Sequence, residues 1–170
     1  MAKKKITIDL KTLIIFGVML VAAIFAIVGI CTGWIASEIT NIITQEKSLE
    51  FSTFGEIMES HNALIEAGGD GFTGFGAMAA FAIMAVIFTC LTLVASGVKF
   101  FVNNKIVGYV AFAVSALAVV CGIVTIITTY TFVGELTTKA IPVLAGFGAW
   151  FTGVAAVVGG GAGVYKLMAK

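Results

Sequence analysis

Four stretches of this chain run for more than twenty residues with almost no charge, and that constrains the fold more than anything else in it. They are Thr12–Ala36, Gly76–Val98, Ile106–Val133 and Ile141–Leu167, and only Lys166, in the last turn of the fourth, interrupts them. A helix rises 1.5 Å per residue, so the first run alone reaches ~37 Å, enough to cross a hydrocarbon core of about 30 Å with some tilt. Only helices and closed barrels satisfy their backbone groups in lipid, and runs of this length and continuity predict helices. The expected fold class is an all-α membrane protein: a four-transmembrane-helix bundle forming one domain over residues 1–170.

Composition agrees. Of 170 residues, 60% are hydrophobic and 11% are charged. Soluble domains hold about 25% charged residues, so a water-facing fold of this size would lack polar surface. The basic start followed by an apolar run has the order of a signal peptide, but signal cores are only about 7–15 residues long. The longer run here reads as an uncleaved signal anchor.

All ten cations are Lys. Lys3, Lys4, Lys5 and Lys11 precede the first span, Lys99 and Lys105 lie between the second and third, and Lys166 and Lys170 close the chain. Lys47 and Lys139 fall on the other side. Positive residues stay cytoplasmic, which predicts a multi-pass protein of the cell membrane with both termini inside. Tyr109 and Tyr165 then fall near the inner interface, and Trp34 and Tyr130 near the outer one. The loop over residues 37–75 lies outside, where Glu38, Glu46, Glu50, Glu56, Glu59, Glu66 and Asp70 face the single cation Lys47.

Local patterns predict a small helical extracellular cap. Ile39, Ile42, Ile43 and Leu49 keep a helical spacing, which would extend the first helix past the membrane. Thr53–Ala67 reads as a second short helix, with Phe54, Ile57, Met58, His61, Leu64 and Ile65 on one face and Glu56, Glu59 and Glu66 on the other. Thr53 and Glu56 stand at capping-box spacing, and Gly68-Gly69-Asp70-Gly71 breaks the helix. The rival reading makes Ser48–Thr53 a strand, because Leu49 and Phe51 alternate with polar residues. Pro142 is expected at the start of the fourth helix, where its missing N–H costs little.

The chemistry these residues exclude is considerable. The span interiors hold no ionisable side chain, so proton-coupled transport has no titrating group in its pathway. Cys31, Cys90 and Cys121 lie in apolar runs with no paired loop cysteines, which disfavours thiol oxidoreductase chemistry. One His and no Arg leave no set for metal, cofactor, hydrolase or nucleic-acid work. His61, flanked by Ile57, Met58, Leu64 and Ile65 on a helix, reads as a packing residue. The acids Glu56, Glu59, Glu66 and Asp70 are candidates for contact with an external partner, but their spacing is not that of a calcium loop.

The positive signal is small residues. Ala145, Ala149, Gly153, Val157 and Gly161 recur every four residues in the fourth span, and Ala155, Gly159 and Gly163 form a second row. Ala111 with Ser115, and Ala118 with Gly122, offer the same in the third span. Such rows let membrane helices approach closely, within a bundle or between subunits. The glycine-rich Gly159–Val164 stretch favours self-association. Trp150, about nine residues into the fourth span, would lie ~13 Å deep and need an acceptor among Thr125, Thr128, Thr129 and Thr152.

The layout of four spans with a longer first and a short second external loop resembles the claudin-like tetraspan proteins. Their loop carries a Trp-Gly-Leu-Trp run and two cysteines; this one carries Gly33-Trp34-Ile35 and no Cys, so the resemblance is one of layout and transfers no functional residue. The expected function is non-enzymatic: membrane assembly or protein–protein interaction by a homo-oligomer in the lipid bilayer, with another membrane protein as a further possible partner. The alternatives are a homo-oligomeric pore with an acidic mouth, lined by hydroxyls of the third span, and an accessory subunit of a larger membrane complex.

Overall fold

The computed structural model of the protein describes residues 9–40, 47–102, 104–137 and 142–168. The expectations for Ile42, Ile43, Glu46, Lys139, Lys170 and the first three lysines lie outside the described residues. The elements in chain order are α1 (Leu10–Cys31), β1 (Gly33–Thr40), β2 (Lys47–Thr53), α2 (Phe54–Glu66), α3 (Phe75–Phe101), α4 (Lys105–Leu136), β3 (Val143–Ala145) and α5 (Phe147–Met168). Four of the helices, α1, α3, α4 and α5, are long and apolar enough to cross a membrane. The chain is a four-helix bundle of multi-pass membrane type, with β1, β2, β3 and α2 gathered as a cap at one end.

The first correction concerns where α1 stops. Hydropathy carries the span to Ala36, but the helix ends at Cys31. The carbonyl of Gly29 accepts from the backbone N–H of Thr32, from the Thr32 hydroxyl and from the Trp34 indole, the last at 2.7 Å. These donors pull the chain out of helical register, and Gly33 onward turns to strand. A short apolar run fits helix and strand alike, and only pairing decides between them.

The pairing is a three-stranded antiparallel sheet in the order β2-β1-β3. Ala36 stands opposite Phe51 on one side and Leu144 on the other. The register slips between Gly33 and Ile35, a bulge that places Trp34. The cap is therefore part sheet, and the strand reading of Ser48–Thr53 is the one the structure adopts. Glu38 does not continue a helix; it sits in β1 and pairs with Lys47 of β2. The fourth span also starts later than hydropathy suggests. Pro142 precedes β3 rather than opening α5, and its carbonyl accepts the N–H of Glu38 at 3.2 Å. A residue without an N–H is tolerated at such a strand end.

Within the bundle α1 packs mainly on α5, α5 on α4 and α4 on α3, while α5 also meets α3. Thus α5 touches all three other long helices. The interior is built of small side chains: Ala22, Ala26, Ala82, Ala85, Ala111, Ala118, Ala155 and Ala156 are buried. Most of the buried hydroxyls are satisfied along their own helices, whereas Thr152 donates across to Ala26 O of α1 at 3.4 Å and Ser96 Oγ has no partner among the described residues. Thr89 donates to Ala85 O, Ser115 to Ala111 O, Thr125 to Cys121 O and Thr129 to Thr125 O, at 2.6 to 2.8 Å. Back-bonding of this kind occupies the hydroxyl on its own helix, and at Thr89 it presents a methyl to Gly159 of α5. At the cap end a larger core of Trp34, Phe54, Ile57, Phe75, Met78 and Phe132 joins cap to bundle.

Candidate functional site

Two regions can meet a partner: the small-residue rows of α5 and the cap. In α5 the rows are occupied inside the chain. A methyl on Gly153 would lie 2.5 Å from Ile126 Cγ1 and 3.1 Å from the Gly122 carbonyl, both on α4. At Gly159 it would meet Ala22 of α1 at 2.9 Å and Thr89 of α3 at 3.1 Å. At Gly163 it would run into Ser115 of α4 and Thr92 of α3. Ala155 packs with Ala22 and Ala26 of α1, and Ala149 belongs to the cap-end core.

The remaining row residues go elsewhere. Ala145 is in β3, paired with Ile35. Gly161 is half-buried, and a methyl there would find open space. The reason is geometric. A step of four residues overshoots a helical turn by about 40°, so a row repeating every four winds round the helix and cannot face one neighbour throughout. Gly160, absent from both rows, faces α4, where a methyl would lie 2.6 Å from Ser115 O. The glycine-rich stretch thus serves three helices of the same chain. On α4 the expected small residues Ala111, Ser115, Ala118 and Gly122 are all buried, and Gly122 meets Gly153 and Ala156.

The cap is organised on Trp34, which is fully buried. It is therefore no interface-belt residue, contrary to expectation. Its ring lies edge-on to Phe54, with centroids 5.1 Å apart, and meets backbone at Gly29 and Gly148. A methyl on Gly148 would stand 2.6 Å from Trp34 Cδ1, and one on Gly146 would collide with the Gly33 carbonyl. Sequence reasoning missed these two glycines. The signal was available as two glycines flanking Phe147, but their meaning depends on a tryptophan more than a hundred positions away.

The sheet turns an apolar row outward. Phe51 and Leu144 flank Ala36 on one face, and they are 48% and 59% exposed. Phe51 stacks on Phe147 at 6.5 Å, Phe147 meets Phe151 at 6.3 Å, and Phe151 meets Phe25 at 5.5 Å. This chain of four phenylalanines continues into an open groove of about 590 Å³ between α1 and α5, floored by Gly17, Ala22 and Ala155. Trp150 also needs correction. It sits in the first turn of α5, 41% exposed, with its ring edge-on to Tyr130 at 5.8 Å, not deep in the span. The helix begins six residues later than hydropathy suggested.

Helix α2 matches its expected capping box. The Thr53 N–H donates to Glu56 Oε2 at 2.7 Å, and the Glu56 N–H donates to Thr53 Oγ1 at 3.3 Å. The backbone N–H of Thr53, then its hydroxyl, hold the Glu56 carboxyl below its ordinary range. Glu56 is thus engaged at home, while Glu59, Glu66 and Asp70 are exposed. Of the expected apolar face Phe54 and Ile57 are buried and His61 is half-buried, whereas Met58, Leu64 and Ile65 remain exposed. The His61 Nδ1 accepts the N–H of Phe72 at 2.8 Å, and its ring lies 4.6 Å from that of Phe75.

Among the described residues no group of three His, Cys, Asp or Glu side chains converges as a metal site would require. The hydroxyls offered by the third span as pore lining, Ser115, Thr125 and Thr129, point into the bundle and are bonded to their own helix. No known family, no curated protein and no solved structure matches the chain. The class defined by fold and surface is thus a four-span helical membrane bundle carrying a mixed sheet-and-helix cap.

Proposed function

We propose that the chain is a non-enzymatic interaction protein of the cell membrane, with both termini cytoplasmic and the cap outside, which self-associates through the cap. The orientation rests on the lysines: the described Lys11, Lys99, Lys105 and Lys166 all lie in or beside the helix ends remote from the cap, while Lys47 is on it. The observation that carries the interaction role is the exposed apolar row of Phe51, Leu144 and Phe147. Inside lipid such a surface is ordinary, but with the cap read as external, Phe51 and Leu144 on the sheet and Phe147 at the start of α5 mark a contact site. Most of the Gly and Ala row residues of α5 are covered by neighbouring helices of the same chain, Gly161 and Ala145 excepted, which favours the cap as the contact surface. Acidic Glu59, Glu66 and Asp70 would form the polar rim of the contact.

Mass measurement in mild detergent and in nanodiscs tests the proposal. Oligomers are expected, with Phe51→Glu and Leu144→Glu converting them to folded monomer. A wild-type protein that is strictly monomeric in both media would overturn the reading, as would full oligomerisation by both variants.

A further inference from the structure

We propose that His61 is an acid-sensitive latch joining the cap helix α2 to the turn that leads into α3. The tautomer follows from the donor. A backbone N–H can only donate, so the 2.8 Å contact from Phe72 N requires a lone pair on His61 Nδ1. A proton at that nitrogen removes the acceptor and leaves two N–H groups facing each other. Histidine is the side chain that makes this change in mildly acidic solution.

The surroundings make the bond specific. Gly71 has φ +67°, and a methyl on it would lie 2.6 Å from His61 Cε1 and 2.8 Å from Nδ1. Backbone therefore presses directly on the imidazole, and only glycine suits both the conformation and the space. Phe75 covers the other side of the ring. The charged residues on the elements around the latch are Asp70 in the turn, Glu135 on α4 beside Gly74, Glu56, Glu59 and Glu66 on α2, and Lys47 and Glu50 on β2. Lys11 on α1, Lys99 on α3 and Lys105 on α4 are at the far ends of their helices. Among the described residues none forms an ion pair with His61.

The predicted consequence is local. Phe54 and Ile57 anchor the first half of α2 in the core, and an imidazolium over Phe75 gains cation–π attraction that keeps the ring in place. What acid releases is the Phe72 amide and, with it, the Gly68–Gly74 turn. The latch does not depend on which side of the membrane the cap faces.

Amide exchange of the full-length protein in nanodiscs tests this. After division by the intrinsic rate, protection at Phe72 should fall about three- to tenfold between about pH 8 and about pH 5. His61→Asn, whose side-chain oxygen accepts at either pH, should abolish the fall. Equal protection at both pH values in the wild type would overturn the proposal, and so would an equal fall in the variant. Should the variant not fold, the wild-type Phe72 amide shift serves instead. It must titrate together with the His61 imidazole nitrogens; a Phe72 shift that stays constant while they titrate overturns the latch.

Discussion

Helices α1 and α5 are both 22 residues long and lie against each other, yet they divide the work of a membrane helix in opposite ways. α1 is the most apolar of the four spans and α5 the least. Half of α5's spanning stretch is buried, against 28% of α1's. α1 turns Leu20, Val21, Ile24 and Ile27 outward and keeps Ala22, Ala23 and Ala26 inside. α5 holds ten Gly and Ala among its 22 residues, and it stands where three helices approach. In lipid, large aliphatic side chains gain nothing from burial against a solvent as apolar as themselves, so close packing decides what goes inside. Hydropathy therefore reports that a segment is in the membrane, and side-chain size reports which segment is central.

The hardest test of this division is where the two helices come closest. Gly29 of α1 and Gly148 of α5 enclose Trp34. Trp34→Ala should cost about 3–5 kcal/mol, read as loss of folded protein on denaturant titration in detergent. Gly153→Leu should cost about 1–3 kcal/mol by the same measurement, because the new side chain meets Ile126 and the Gly122 carbonyl of α4. Tolerance of either would break the comparison.

Smaller effects sharpen it. In the cap, Thr53→Ala should weaken α2 by about 1 kcal/mol through loss of the capping hydroxyl, measured by amide exchange in its first turn. The same turn carries a pH dependence. The Glu56 carboxyl is held below its ordinary range, so its contribution is fully present above that range and is lost as pH falls through the lowered value. Glu56→Gln should flatten that profile. Ile24→Ala, on the outward face of α1, should change stability by less than about 0.5 kcal/mol, since lipid replaces what is removed.

The four spans were legible from uncharged length, and the capping box of α2 from Thr53 and Glu56 alone. The sheet was legible only in part. Leu49 and Phe51 alternate visibly with polar residues, whereas Trp34-Ile35-Ala36 is apolar throughout and reads as a helix until its partners Phe51 and Leu144 are known. The α5 rows were found, but their direction was not, because a four-residue period drifts around a 3.6-residue helix. Gly146 and Gly148 were illegible, since their role exists only once Trp34 folds back across more than a hundred residues.

The central claim is that the α5 row residues Gly153, Ala155, Gly159 and Gly163 are packed within one chain. Ala155 of α5 packs with Ala22 of α1, and both already carry a Cβ, so cysteines there can bridge across about 3.8 Å without a Cβ being forced onto a glycine. The most direct measurement is oxidation of the Ala22→Cys, Ala155→Cys pair in membranes, with Cys31, Cys90 and Cys121 replaced by Ala. The account predicts a disulfide within each chain and a band that migrates as a monomer. Covalent dimers, or failure of the pair to cross-link, would contradict it.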